Sequence, residues 1–333
     1  MKLSVLDQAP ISIGEHAETS LRCSVELAMH TESLGFHRYW MAEHHNTNGL
    51  ASSAPEIAIS QILHHTETLR VGSGGVLLPQ YSPLKVAETF RMLEAFYPAR
   101  VDLGLGRSPG GGQKTRAALT DGLNKPLSSF SRQVKELQQF LHDELPKGHD
   151  YFGVKAKPAT QRNPEVWVLG LSERGAKHAA LNGTGFTYGY FISPSKAREA
   201  IDTYRERFTP KFDMKHPRVT MCIFAVCADT EEEAEFLAKS QDHWLLQVEQ
   251  GLDTRVYPPE EIDLSDVTDE QRIKIETNRK RCLIGTPSQV AEQLKDLSEE
   301  YQVDEFLLIT NIFDFEKKKM SYKKIKQAVD ALQ

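Results

Sequence analysis

The stretch VWVLGLSERGAKHAA, residues 166–180, has the pattern of one complete strand–turn–helix unit. Its first four residues are apolar, Gly170 ends the run, and Ser172 occupies the N-cap position of a helix that begins near Glu173. A strand that passes through a short turn into a helix is the repeating unit of parallel α/β folds. The stretch therefore predicts a parallel sheet with helices packed against it.

The same alternation continues along the whole chain. Apolar, strand-like runs occur at eight places, which are residues 3–6, 37–41, 69–78, 101–105, 166–169, 186–191, 220–226 and 305–309. Segments with the apolar spacing of helices separate them, and Pro194 and Pro287 each follow a Ser or Thr at the start of such a segment. Eight strands that alternate with helices favour a (β/α)8 TIM barrel over a doubly wound sheet, because that number closes the barrel.

Two segments are longer than the ordinary connections of such a fold. Residues 108–130 follow the fourth strand, and residues 251–281 follow the seventh strand and its helix. Long polar insertions on a compact domain usually carry lids or binding loops. We therefore predict a single domain over residues 1–333, in which residues 251–281 form a mobile lid.

The overall composition is that of an ordinary globular protein. Of the 333 residues, 40% are hydrophobic and 26% are charged, and the net charge is −6. This acidic balance argues against non-specific nucleic-acid binding, and no apolar run approaches the ~20 residues that cross a bilayer. The N-terminal MKLSVLDQAP lacks the pattern of a secretory signal. Because the four cysteines form no CxxC pair, we expect a cytoplasmic protein with reduced thiols and no resident metal; they are Cys23, Cys222, Cys227 and Cys282.

The motif WMAEHH, residues 40–45, ends the second strand with three polar side chains. Residues at the C-terminal ends of barrel strands form the active-site mouth, so Glu43, His44 and His45 would lie there. One interpretation is that one histidine packs and the other is solvated. A metal site is a second, although no HxH or HExxH partner set accompanies the pair. A general acid or base is the third, because histidine titrates near neutral pH.

The stretch LGLGRSPGGG, residues 103–112, places an arginine among glycines at the end of the fourth strand. It is not a dinucleotide fingerprint, because Pro109 stands at the third glycine position. It is not a Walker loop either, because Gln113 separates Gly112 from Lys114. What remains is either a phosphate site in which Arg107 supplies the guanidinium, or a flexible turn with a solvated arginine.

Two further features could face the same mouth. Ser172 could simply cap its helix, or the free amides of that helix start could bind an anion. Because the fourth and fifth strands are neighbours in a barrel, Ser172 and Arg107 would then lie side by side. Gly74 and Gly75 interrupt the third strand, which indicates either the close approach of a flat ligand or a bulge.

In this order, WMAEHH, the paired glycines, GLGRSPGG and the turn at Ser172 resemble the landmarks of the bacterial luciferase-like flavin-dependent monooxygenases. GTPSQVAEQL, residues 285–294, resembles another of their segments, and the likeness covers essentially the full chain. The resemblance implies a TIM barrel with a mobile insertion after the seventh strand. It also implies that a separate NAD(P)H:flavin reductase delivers reduced FMN (FMNH2). O2 then forms a C4a-hydroperoxide on this flavin, which oxygenates a small organic substrate such as an aldehyde or a related compound.

The resemblance also assigns roles to single residues. His44 corresponds to the catalytic histidine, with Glu43 and His45 at the same strand end. Arg107 corresponds to the ligand of the FMN phosphate, and the paired glycines occupy the place of a non-prolyl cis peptide under the flavin ring. The cofactor-binding residues implied in this way are Gly74, Gly75, Gly106, Arg107, Ser172 and Glu173.

Some features depart from the resemblance or leave other functions open. Gly106 stands where true luciferases have a reactive cysteine, so we expect a substrate other than their long-chain aldehyde and no light emission. The alternatives are an F420-dependent hydride-transfer oxidoreductase on the same barrel, a non-catalytic flavin-binding protein and, last, a metal-dependent hydrolase. The resemblance implies a homodimer, and neither nucleic acid nor a membrane is an expected partner.

Overall fold

The computed structural model describes residues 1–264 and 267–332, and eight parallel strands close into a barrel. The barrel strands are β1 Lys2–Asp7, β2 Arg38–Met41, β3 Arg70–Leu77, β4 Val101–Gly106, β5 Glu165–Gly170, β6 Gly185–Gly189, β7 Val219–Cys227 and β9 Glu305–Ile309, and a further strand, β8 Cys282–Gly285, lies outside the barrel. Neighbouring strands pair in the order β1 to β7, and β9 pairs with both β7 and β1. The predicted (β/α)8 TIM barrel is confirmed, and each of the eight predicted strand runs overlaps one of these strands.

Helices surround the barrel, and their starts follow local sequence signals. Pro287 is the first residue of a helix whose N-cap, Thr286, forms a capping box with Gln289. At Ser193 a single 3₁₀ turn, Pro194–Lys196, precedes the helix. The helices are α1 Ala17–Ser33, α2 Pro55–His65, α3 Pro83–Phe96, α4 Gln113–Leu119, α5 Phe130–Leu141, α6 Glu173–Asn182, α7 Ala197–Arg207, α8 Glu231–Gln250, α9 Asp269–Arg279, α10 Pro287–Tyr301 and α11 Phe315–Ala331.

Side chains alternate between the two faces of each barrel strand. Outward-facing residues such as Val5 and Phe306 are buried in the core between barrel and helices. Inward-facing residues such as Leu6, Trp40 and Leu307 form a second apolar cluster inside the barrel. This alternation fixes which residue of a strand end points into the mouth.

Charged residues fill the barrel interior at the N-terminal end of the strands. The guanidinium of Arg38 is buried and lies 2.7 Å from both Asp102 and Glu305, while Arg70 lies 2.5 Å from Asp102. Trp40 also donates to Asp102 through Nε1. Burial alone would raise the pKa of the Asp102 carboxyl, but the charges of Arg38 and Arg70 hold it below its usual value. The polar groups of this layer are therefore largely committed to one another, at the end of the barrel away from the mouth.

A short strand that the sequence analysis missed lies between α9 and α10. This strand, β8 Cys282–Gly285, pairs with the C-terminal end of β7, where Phe224 has Cys282 on one edge and Ile309 of β9 on the other. β8 therefore pairs with the same edge of β7 as β6 does, but nearer to the C-terminal end of β7. It is additional to the eight barrel strands. β8 has only four residues, which are too few to produce a recognisable strand pattern in the sequence. Among the described strands it pairs with β7 alone.

The two predicted insertions have secondary structure of their own. Residues 108–130 contain α4 and a 3₁₀ turn at Leu127–Ser129, and residues 251–281 contain α9. Residues 265 and 266 of the predicted lid lie outside the described residues. A third long connection, residues 142–164, was not predicted. No helix in the described ranges is both long and apolar enough to cross a membrane.

Candidate functional site

The residues predicted for the site lie at one end of the barrel. Glu43, His44 and His45 follow β2, Arg107 follows β4, and Ser172 follows β5. Because all barrel strands are parallel, these positions share the C-terminal mouth. A cavity of about 540 Å³ lies at the opposite end and contains none of them. The chemistry of the side chains, rather than cavity size, therefore makes the mouth the candidate site.

Glu43, which follows β2, connects the ends of β2 and β3 through hydrogen bonds. Its carboxylate is buried and accepts hydrogen bonds from the Leu77 amide at 2.9 Å and the Tyr81 hydroxyl at 2.6 Å. His45 Nε2 lies 2.7 Å from the same carboxylate. Burial, followed by the bond to Glu43, raises the pKa of Tyr81. Glu43 therefore holds His45 in place, and Tyr81 belongs to this network although no sequence pattern indicated it.

His44 continues the inward-facing row of β2 after Trp40 and Ala42. Its backbone amide donates to the Ser52 carbonyl at 2.9 Å, whereas Nδ1 of the ring is enclosed and makes no hydrogen bond. Burial, followed by the charge of His45, lowers the pKa of His44 to about 4. The imidazole is therefore neutral at pH 7, and a ring nitrogen is available to accept a hydrogen bond.

This lowered pKa predicts a specific pH dependence of stability. Between pH 6.5 and about 4, the unfolded chain binds a proton at His44 that the folded chain does not bind. The folded state should therefore lose stability as the pH falls through this window, by up to ~1.4 kcal/mol per pH unit from this group. We expect His44→Gln to remove that component, so that the wild-type protein loses stability relative to the variant below pH 6.5.

Urea unfolding of both proteins at pH 7.5, 6 and 5 measures this difference. Above pH 7 the difference between the two free energies of unfolding should be constant. A difference that is the same at pH 7.5 and pH 5 would contradict a depressed pKa at His44.

Gly74 and Gly75 are joined by a cis peptide bond, as the resemblance implies for this place. A Cβ on Gly74 would lie 2.3 Å from Leu6 Cδ1, and one on Gly75 would lie 2.8 Å from the backbone of Gly104. The β3–β4 register also shifts between Ser73 and Val76, so the bulge that the glycines indicated is present too. At Gly75 the obstacle is backbone, so only glycine fits there, whereas a side chain at Gly74 would require the Leu6 side chain to move.

Positive charge accumulates without a counterion where β4 and β5 end. Arg107 makes no ion pair and no side-chain hydrogen bond with any described residue, and neither does Arg174 in the first turn of α6. Burial, followed by the charges of Arg107 and Arg174, lowers the pKa of His178. The two arginines are therefore close to the same imidazole, and the carboxylate of Glu173 is committed to Lys177 at 2.7 Å.

The start of α6 lies against the end of β5. Ser172 is the N-cap, as predicted, but its side chain makes no capping hydrogen bond, which leaves the hydroxyl available to a ligand. A Cβ on Gly170 would lie 3.0 Å from the Cα of Gly175, so the strand end and the first helical turn are in contact. Free amides, a free hydroxyl and unpaired arginines together form a site suited to an anion.

Part of the second insertion covers the opposite side of the mouth. We call residues 253–257 the strap. Val256 exchanges backbone hydrogen bonds with the loop after β1 through Ile11 and Ile13, and the Thr254 hydroxyl lies 2.6 Å from that of Thr47. A Cβ on Gly49 would lie 1.9 Å from the Thr254 carbonyl oxygen, so the strap also contacts the loop after β2, to which Thr47 and Gly49 belong.

The mouth residues do not form a metal-binding set. Throughout the ranges 1–264 and 267–332, no group of three or more His, Cys, Asp or Glu side chains is placed to hold a metal ion. The chemistry available at the mouth is therefore that of an anion site, a neutral imidazole and glycine-lined backbone.

Solved structures share this architecture. Apo-MsnO8 superimposes with a TM-score of 0.87 at 34% identity, over 99% of this chain and 98% of that one. At 17% identity, the oxygenating constituent of 3,6-diketocamphane monooxygenase from Pseudomonas putida in complex with FMN has a TM-score of 0.74. An F420-dependent secondary alcohol dehydrogenase, also at 17%, has a TM-score of 0.72. These last two likenesses concern the fold alone.

Similarity in sequence extends over nearly the whole chain. The protein YceB of Bacillus subtilis (strain 168) is 54% identical, over 97% of this chain and 98% of that protein. N-acetyl-S-alkylcysteine monooxygenase of the same organism is 35% identical, over 99% and 98%. The model of the luciferase-like monooxygenase family matches residues 1–305. This chain therefore belongs to the luciferase-like monooxygenase family.

Proposed function

We propose that this protein is a flavin-dependent monooxygenase that uses reduced FMN and O2 to oxygenate a small organic substrate. The observation that carries the proposal is the pair of counterion-free arginines beside the free start of α6, at the same mouth as an unpartnered imidazole. Bound reduced FMN would supply the two electrons with which O2 yields one inserted oxygen atom and one water.

The anion site fits the phosphate of FMN. Arg107 would supply a guanidinium fork, Ser172 its hydroxyl, and Glu173 only its backbone amide, because its side chain is occupied by Lys177. Arg174 adds a second positive charge to the same site. No acidic side chain within residues 1–264 and 267–332 is hydrogen-bonded to either arginine, so a dianion would not have to displace an ion pair formed there.

The mouth also fits a flat ring. Gly74, Gly75 and Gly106 present backbone without side chains on β3 and β4, which allows a planar ligand to approach the barrel wall. His44 lies on the adjacent strand, where its neutral ring could accept a proton from a group on the ligand. In this scheme Glu43 and His45 position the strand end and do not themselves accept the proton.

The remaining parts of the proposal concern the lid and the partners. Residues 251–281 would act as a lid that keeps water from the mouth, as the contacts of the strap with the loop after β1 support. A separate NAD(P)H:flavin reductase would supply the reduced FMN. A homodimer is supported by apolar side chains exposed on neighbouring helices, namely Ile57 on α2 and Met92 and Phe96 on α3.

For the substrate, we propose a small organic molecule such as an aldehyde or a thioether. The 35% identical relative is named N-acetyl-S-alkylcysteine monooxygenase, and an S-alkylcysteine is a thioether. A thioether is therefore the group to test first. We expect the protein, supplied with reduced FMN and ¹⁸O2 in the presence of catalase, to convert methyl phenyl sulfide to a sulfoxide that contains ¹⁸O. Mass spectrometry of the product and an oxygen electrode measure this outcome.

Two controls make the experiment specific. Free reduced FMN without protein shows the background, and catalase removes the hydrogen peroxide that would oxidise the sulfide by itself. Reduced F420 in place of reduced FMN should give no ¹⁸O-labelled product. If a parallel assay without catalase gave hydrogen peroxide, and no ¹⁸O-labelled product formed with catalase from either a thioether or an aldehyde, monooxygenation would be contradicted. Oxidation of reduced F420 coupled to a carbonyl substrate would favour hydride transfer instead.

A further inference from the structure

Two buried carboxamides at the mouth have no hydrogen-bond partner in the part of the chain that the structure describes. Gln8 is 6% exposed and Asn311 is 1% exposed. The side chain of neither residue makes a hydrogen bond with any described residue, and the atoms Gln8 Oε1 and Asn311 Nδ2 are completely enclosed. An unpaired buried amide lowers the stability of the folded protein, so these two side chains favour a hydrogen-bonding partner from outside the chain.

Both side chains belong to inward-facing rows of the barrel. On β1, Ser4 and Leu6 point inward, and Gln8 continues their row; Ala9 packs outward in the core between barrel and helices. On β9, Leu307 and Ile309 point inward, and Asn311 follows at the same spacing.

The two residues are also level with one another. The β1–β9 ladder pairs Val5 with Leu308, and continuing this register by three residues places Gln8, just past the end of β1, level with Asn311, just past the end of β9. The two carboxamides therefore follow adjacent barrel strands at the same level of the mouth, and we call them the amide pair.

The amide pair adjoins the candidate catalytic residues and lies away from the anion site. Leu6 is the inward-facing residue before Gln8 on β1, and a Cβ on Gly74 would clash with the Leu6 side chain. On the other side, the β1–β2 ladder pairs Asp7 with Met41, so Gln8 is level with Ala42, the inward residue before His44. In the closed barrel, β9 and β1 lie across from β4 and β5, whose ends hold the arginines and the start of α6. A ligand group at the amide pair is thus separated from the phosphate site.

Apart from the candidate catalytic residues, the inward-facing residues below the amide pair are apolar. Inward-facing Phe224 and Ile309 form one cluster with Trp244 of α8, and Leu50 packs against it. A substrate there would be apolar except for one group that can both donate and accept hydrogen bonds. A carboxamide has this combination, because its C=O accepts from one side chain and its N–H donates to the other.

We infer that Gln8 and Asn311 bind the carboxamide of an otherwise apolar substrate, which is oxygenated elsewhere on the molecule. The inference rests on the proposed monooxygenase function. The amide pair would thus determine substrate specificity, whereas Arg107 and Ser172 would bind the phosphate of the cofactor.

Three probes of one shape test the inference. 4-(Methylthio)benzamide carries the amide, 4-(methylthio)acetophenone replaces its NH2 by a methyl group, and 4-(methylthio)benzoate carries a charge. Their dissociation constants are measured by calorimetry with the protein loaded with oxidised FMN, so that no turnover occurs. The wild-type protein should bind the benzamide about tenfold more tightly than either of the other probes.

The variants are Gln8→Met and Asn311→Leu, which remove the amides at nearly constant volume. Each should bind the benzamide about tenfold more weakly and leave the affinities for the acetophenone and for FMN within about twofold. Gln161→Met, at an exposed position before β5, is the matched control and should change nothing. The thermal midpoints should stay equal or rise, because each variant removes an unpaired buried amide, and this separates a binding loss from a folding loss.

Several results would overturn the inference. These are equal binding of benzamide and acetophenone, no measurable binding of the benzamide, tightest binding of the benzoate, or variants that weaken FMN instead of the benzamide. Sulfoxide formation from the acetophenone probe tests the proposed function separately. If no probe is oxygenated while the benzamide preference and its loss in the variants are observed, monooxygenation fails and the amide pair is still supported.

Discussion

Alanine in place of His44 is expected to lower the rate of substrate oxygenation by about 10²–10⁴-fold, the usual contribution of a positioned acid–base group. His44 is the imidazole at the mouth whose Nδ1 is enclosed without a partner, and its pKa of about 4 leaves it neutral and able to take up a proton. Oxygen uptake should continue, but as release of hydrogen peroxide. The measurement is the ratio of oxygenated product to FMN oxidised, with peroxide titrated in parallel.

FMN affinity distinguishes a chemical role of His44 from a structural one. Fluorescence titration should show binding of oxidised FMN within about twofold of the wild-type value, since the proposed phosphate ligands are on β4, β5 and α6. His65→Ala, at an exposed position at the end of α2, is the matched control and should retain full coupling. An unchanged product yield per reduced flavin in His44→Ala would exclude a catalytic role for this imidazole.

Arg107→Ala should weaken the binding of FMN by about 10- to 100-fold, which is the range for a charge-assisted bond to a phosphate. Arg107 has no acidic partner among the described residues, so its removal breaks no ion pair within the protein. The loss of FMN affinity would therefore reflect the contact with the ligand alone. Riboflavin, which has the same ring and no phosphate, should bind wild type and variant within about twofold of each other. Titrations with both ligands at low and at physiological salt measure the effect.

The control for this substitution is Arg132→Ala. The Arg132 side chain is 67% exposed and pairs with Glu136 within one helix, so its loss should leave both affinities unchanged. Equal losses for FMN and riboflavin in Arg107→Ala would show that the arginine supports the fold of the mouth and does not bind a phosphate.

Most of the barrel was predictable because strands and helices leave periodic signals. All eight barrel strands were predicted, and the strand–turn–helix unit around Ser172 occurs where the sequence placed it. β8 was missed because its four residues are stabilised by pairing with β7, which is distant in the chain. The strap is a similar case, because its order comes from contacts with Ile11, Thr47 and Gly49.

The site was predictable only in part, for a related reason. Glu43, His44, His45, Arg107 and Ser172 stand at strand ends, and parallel strands must bring such residues to one mouth. Single residues without a local pattern could not be found in this way; these are Tyr81, which binds Glu43, His178, which lies near two arginines, and the amide pair.

The sequence by itself determined the barrel, the strand ends that form the mouth and the family resemblance, because these depend on periodicity and on motifs of adjacent residues. Only the tertiary structure decided which groups are left without partners. The carboxylate of Glu43 accepts hydrogen bonds from three donors, whereas Arg107, the Ser172 hydroxyl, His44 Nδ1 and the amide pair find no partner among the described residues. The physical reason is that hydrogen bonding depends on distances between residues far apart in the chain, which closure of the barrel sets.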